Sequence, residues 1–152
     1  MSQVQQGEQN YREQVANQYQ ARVLLKAQLQ RWLYITLFLN LMSVAKFLIH
    51  GKLSTTATPS VVDPYINLYL ASFITPLLGL MSLKSNDVKK LTFAIVTNFL
   101  FSLGPLNAFL FLNFNTMDTL SFAVVSIAVG LHLLILNLSN KLRSSWQEHR
   151  TR

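Results

Sequence analysis

The chain has 152 residues, of which 51% are hydrophobic and 12% charged, a formal charge of +7 and no cysteine. Polar surface is too scarce to cover a water-soluble domain of this size, and without a thiol there is no disulfide framework, thiolate nucleophile or Cys-based zinc or iron–sulfur site. The positive residues lie in polar segments between apolar blocks, a pattern that belongs to membrane orientation and argues against a nucleic-acid partner.

Residues 1–10, MSQVQQGEQN, are rich in Gln and lack apolar clusters, so a disordered tail is expected there. They also lack the basic start and apolar core of a secretory signal peptide, which leaves the first hydrophobic run as the insertion signal. Over residues 11–31, Val15, Tyr19, Val23 and Ala27 recur every four positions, while Arg12, Gln18, Arg22, Lys26 and Gln30 supply a wet side. That spacing predicts a cytosolic amphipathic helix leading into the membrane. No Gly or Pro separates it from the apolar run 33–49, which is long enough to span and has Trp32 at its edge. One continuous helix and an interfacial helix bending into a span are both allowed.

Gly51 to Pro64 is rich in Gly, Pro, Ser and Thr and reads as a loop. The second run, 65–83, carries Pro76 at its middle, where a kink is expected. After the charged connection Lys84 to Lys90, the third run, 91–113, is broken at Gly104 and Pro105 and holds Asn98, Ser102 and Asn107. Asn98, Ser102 and Pro105 share one helical face, which should point at protein. A turn at Phe114 to Asp118 precedes the fourth run, 119–138, where Ala123, Ser126 and Gly130 form a small-residue stripe suited to close helix approach. Residues 139–152 are a polar, basic tail.

The fold class expected is therefore all-α: a polytopic membrane protein whose transmembrane helices, four in number and joined by short loops, pack as an antiparallel bundle over residues 32–138. Arg12, Arg22, Lys26, Arg31, Lys84, Lys89, Lys90, Lys141, Arg143, Arg150 and Arg152 all fall on one side of such a bundle and only Lys52 on the other. Basic residues resist translocation, so both termini and the middle loop face the cytosol. Asn137-Leu138-Ser139 would then lie at the cytosolic boundary, where a glycan acceptor has no use.

Two ionisable residues stand inside apolar runs. Lys46 lies near the luminal end of the first, where a long side chain snorkels to the interface, and a packing role is favoured over an ion, headgroup or proton site. His132 is deeper, and a neutral imidazole bonded to Asn or Ser on a neighbouring helix is favoured over a proton relay. The six acidic residues, Glu8, Glu13, Asp63, Asp87, Asp118 and Glu148, are dispersed and outside the runs, so no carboxylate pair or metal cluster forms at membrane depth. No phosphate-cradling loop or nucleophile elbow is present. No enzyme activity, cofactor or metal is expected.

The chain resembles the Jagunal family of endoplasmic-reticulum membrane proteins. The likeness rests on Arg12, Glu13, Val15, Ala16, Tyr19 and Gln20, on Val44, Ala45 and Lys46, on Leu77, Leu78, Gly79, Leu80 and Ser82, on Phe101, Ser102, Pro105 and Leu106, and on Lys141, Leu142, Ser145 and Trp146. This resemblance implies a multi-pass protein with cytosolic termini that serves reticulum organisation and vesicle-mediated transport in the early secretory pathway. The last five residues lack the paired lysines that coat-protein retrieval reads.

The sites expected to carry such a role are cytosolic contacts at Arg12, Arg22, Lys26, Arg31, Lys141, Arg143 and Trp146, and an intramembrane polar set of Lys46, Asn98, Ser102, Asn107 and His132. Expected partners are anionic headgroups of the bilayer and trafficking proteins or other membrane subunits, with a homo-oligomer allowed. A small transporter or channel subunit, suggested by helices broken at Pro76 and Pro105 near polar residues, and an accessory subunit of a larger complex are the alternatives.

Overall fold

The structure is a computed structural model that describes residues 3–53, 64–113, 115 and 119–150. Among the described residues it is all helical, without strands. Helix α1 runs from Gln3 to Leu53 and α2 from Pro64 to Ser85. The third rod is α3 (Val88–Asn98), a π-helical turn (Phe99–Leu103) and α4 (Gly104–Asn113), and the fourth is α5 (Thr119–Arg150).

α1 is continuous because Gln, Glu, Arg, Lys, Ala and Leu fill it and no proline interrupts it. The expected disordered tail is therefore helical from Gln3 to Asn10. Composition alone misleads here, since residues appended to an existing helix avoid the nucleation cost that keeps an isolated polar segment unfolded. The helix also takes in Gly51 to Leu53, which shortens the expected loop from that side. The rest of the loop, 54–63, and Phe114 and 116–118 of the expected turn, lie outside the described residues.

α2 starts on Pro64, whose fixed φ suits a first helical position, and continues through Pro76. Its end is set by Asn86, which takes a left-handed φ of 48°. Asp87 closes the turn by donating its N–H to the Ser82 carbonyl at 3.4 Å, and its side chain accepts from the Lys89 N–H at 2.8 Å, capping α3. At Pro105 the expected break becomes a widened turn. Proline has no N–H to return to Phe101, and the Gly104 N–H reaches back five residues to the Phe99 carbonyl.

α1 packs on α2 and α5, α2 on α3 and the π turn, and α3 on α5, so the rods close a ring. Moving along α1 from Lys26 to Leu33 carries contact backwards along α2 from Asn86 to Gly79, so these two rods run in opposite directions. The buried stripe shifts along the rods from mainly leucine to a mixture, although Ser82 and Ser139 are already buried near the α2–α3 turn and Leu103, Leu106 and Val125 farther from it. Near the α2–α3 turn it is Leu29, Leu33, Leu83, Leu91, Ile135, Leu138 and Leu142, with Trp32 and Trp146 packed against it. Farther from the turn it becomes Thr36 and Asn40 on α1, Ser72 and Thr75 on α2, Asn98 and Ser102 on the third rod and His132 on α5.

Among the described residues, Val88–Leu112 and Phe122–Glu148 are long and apolar enough to cross a membrane. Both present large apolar side chains outwards, including Phe93, Phe99, Leu100, Phe111, Val124, Ile127 and Leu133. The expected runs 33–49 and 65–83 lie on α1 and α2, where the side chains of residues 46–53 and 64–71 are not among those described.

Candidate functional site

Hydrogen bonds between rods build a polar layer in the bundle interior. The Asn98 amide holds His132 twice: its Oδ1 lies 2.8 Å from the ring Nδ1, and its Nδ2 donates to the His132 main-chain carbonyl at 3.1 Å. An amide oxygen only accepts, so Nδ1 carries the hydrogen and, in the neutral ring, the lone pair stays on Nε2. One turn away, Thr75 Oγ1 and Ser102 Oγ are 2.9 Å apart, joining α2 to the π turn. All four side chains are almost fully buried. Thr36, Ser82 and Thr97 turn their hydroxyls onto carbonyls of their own helices. The Asn40 Nδ2 is buried without a hydrogen-bond partner. This layer holds hydroxyls, amides and one imidazole, and among the described residues no group of His and acidic side chains is placed to bind a metal.

A second cluster forms where the α2–α3 turn meets α1 and the carboxyl end of α5. Arg22 donates its Nε–H to Ser145 Oγ at 2.9 Å, and Lys26 donates to Asn86 Oδ1 at 2.7 Å. These contacts bring Lys84, Lys89 and Lys90, close in sequence to Asn86, to the same end of the bundle as Lys141 and Arg143, close to Ser145. A groove of about 340 Å³ opens on the outer face here, lined by Leu78, Met81, Phe93, Lys89 and Lys90.

Of the residues expected to matter, Asn98 and His132 are brought into contact and Ser102 finds Thr75. Asn107 is exposed and bonds the Leu103 carbonyl of its own rod at 2.8 Å, so it does not join the polar layer. Lys46 lies on α1, with its side chain outside those described. Arg22 and Lys26 have partners, Trp146 packs on the leucine core, and Arg143 is half-buried with its Nε lacking a hydrogen bond. Arg12, Arg31 and Lys141 are exposed.

Sequence reasoning overlooked Thr75, Asn86 and Asn40, and named Ser145 only for the family likeness. The first had a readable signal: Ser72, Thr75, Gly79 and Ser82 recur at helical spacing and are all buried, opposite exposed Ile74, Leu77 and Met81. The close approach of helices occurs on this ridge, where Gly79 meets Leu33. On the Ala123, Ser126 and Gly130 stripe, by contrast, Gly130 is exposed and faces open space.

The family model described as "Jagunal, ER re-organisation during oogenesis" matches residues 7–121. The chain belongs to the Jagunal family. Protein jagunal homolog 1 of Homo sapiens is 31% identical over 156 aligned positions, covering 90% of this chain and 85% of that protein. The proteins of the same name from Bos taurus and Mus musculus are 31% and 30% identical over the same coverage. The Jagunal match includes the exposed amino-terminal part of α1, the Gly79 ridge, Asn98 and Ser102, while His132 and Ser145 lie beyond its end.

Proposed function

We propose that the chain is a four-span, non-catalytic protein of the endoplasmic-reticulum membrane with both termini in the cytosol. It supports reticulum organisation and vesicle-mediated transport in the early secretory pathway by holding anionic lipid and protein partners at its basic end. The observation that carries this reading is the pair of contacts Arg22–Ser145 and Lys26–Asn86, which gather basic residues from three separate segments at one end of an outwardly apolar bundle. A polybasic surface beside an anionic leaflet gains about 1 kcal/mol per Lys or Arg. Membership of a family described by reorganisation of the reticulum supplies the process.

The test is a cell line lacking the protein, scored for reticulum morphology and for transit of a secreted reporter. Wild type should restore both, and a variant with Lys84, Lys89 and Lys90 changed to Gln should insert normally yet restore them poorly. Unchanged morphology and transit in the deleted line would remove the proposal.

A further inference from the structure

We propose that the amino-terminal part of α1 is a self-complementary surface that joins two copies of this chain in antiparallel fashion, linking two facing membranes. It rests on the reading that α1 enters the bilayer after Trp32 with its amino end cytosolic.

Every residue from Gly7 to Ala21 is exposed, including Tyr11 (68%), Val15 (48%) and Tyr19 (67%). The chain's own packing covers none of residues 7–21 and reaches this stripe only at Arg22, half-buried against α5. The α2–α3 turn meets α1 at Lys26, and α5 meets it at Arg22. No proline or π turn kinks α1 below these contacts, so the segment continues the rod outward and does not lie back on its own bilayer. A partner must come from beyond the end of the bundle.

Charge selects the partner. At about 100° per residue, Glu8, Tyr11, Tyr19 and Arg22 all project within roughly 40° of the Val15 direction. They are also symmetric about it in sequence: Tyr11 and Tyr19 each stand four residues from Val15, and Glu8 and Arg22 each stand seven. An antiparallel copy therefore sets Tyr11 against Tyr19, Val15 against Val15 and Glu8 against Arg22, which is half-buried with its Nε–H given to Ser145 and whose guanidinium has five N–H groups in all. A parallel copy would oppose Glu8 to Glu8 and Arg22 to Arg22, which like-charge repulsion disfavours. Rods standing on one membrane are parallel, whereas rods from two facing membranes are antiparallel. From Trp32 to Val15 the helix rises about 25 Å, so two copies crossing at Val15 would hold their membranes roughly 50 Å apart.

The test uses full-length protein in vesicles of neutral lipid, in two populations with different fluorophores, keeping preparations that resist alkaline extraction and expose the amino end to protease. Wild-type vesicles should cluster at a spacing near 50 Å by electron cryo-microscopy. Glu8→Arg on both populations, or Arg22→Glu on both, should lower clustering at least tenfold, and mixing Glu8→Arg vesicles with Arg22→Glu vesicles should restore it. Because the chain has no cysteine, Val15→Cys should crosslink copies between populations under a mild oxidant. Correctly inserted wild-type vesicles that stay dispersed would overturn the inference, as would equal clustering with protein-free vesicles or failure of the mixed charge pair. A protein stripped by alkali would instead overturn the membrane reading beneath it.

Discussion

Asn98 grips His132 at two points, the ring nitrogen and the main-chain carbonyl, and so fixes both the orientation of the imidazole and the level at which α5 meets α3. In an apolar interior each partner depends on the other, because the hydrogen bonds that water would offer are missing. Removing one should cost more than the value of the bond, and removing both should cost less than the two single losses together.

That dependence gives the first prediction. His132→Leu strands the Asn98 oxygen and should lower stability in detergent by about 1–3 kcal/mol, with Asn98→Leu similar. The double variant should recover about 1 kcal/mol relative to the sum. Thermal unfolding of the four proteins measures this, and strict additivity would mean the pair is not coupled.

A second prediction contrasts two glycines. A Cβ on Gly79 would lie 2.8 Å and 2.9 Å from the two methyl carbons of Leu33, which is itself buried, whereas nothing lies within 4 Å of one on Gly130. Gly79→Ala should destabilise by about 1–3 kcal/mol through overpacking, and, because both changes act at the Gly79–Leu33 contact, the loss in Gly79→Ala/Leu33→Ala should be smaller than the two single losses together. Gly130→Ala should be neutral or stabilise by up to about 1 kcal/mol, since alanine is the better helix former. Melting temperatures of the variants would settle the order.

Contacts near the basic end differ in weight. Leu29 and Leu142 are wholly buried in the leucine cluster, and truncating either to Ala should cost about 2–5 kcal/mol. The Lys26–Asn86 hydrogen bond is short at 2.7 Å, but it is exposed. Lys26→Ala should therefore cost no more than about 1 kcal/mol, because water replaces the lost partner. Denaturation of these three variants would show whether core or surface sets the stability of this end.

Much of the architecture could be read from the chain because membranes demand long uncharged runs, and those around residues 91–113 and 119–138 meet that demand in both length and hydropathy. That His132 bonds an Asn or Ser on a neighbouring helix was readable for a related reason, since a polar side chain in an apolar run needs a partner, but the choice of Asn98 was not. Thr75 was readable only as one member of the Ser72, Thr75, Gly79 and Ser82 ridge, because a lone hydroxyl is inexpensive to bury and does not announce that its partner is Ser102 on another rod. The choice between Gly79 and Gly130 as the close contact depends on how each rod is rotated about its axis, which residue type does not encode. Likewise Gly104 and Pro105 mark a disturbance without saying whether the rod bends or widens by one residue. The Gln-rich amino end misled because its conformation is set by the helix to which it is joined.

The central claim is a bundle crossing the membrane as four spans with its basic end in the cytosol, and single-cysteine labelling in sealed microsomes tests it most directly, since the native chain has no thiol. Cysteines replacing Gln9, Ser85 and Asn140 should react with a membrane-impermeant maleimide added outside. Cysteines replacing Ser60 and Asn115 should react only after the membrane is opened. Labelling of Gln9→Cys and Asn140→Cys from opposite sides, or of Ser60→Cys from outside, would contradict the account.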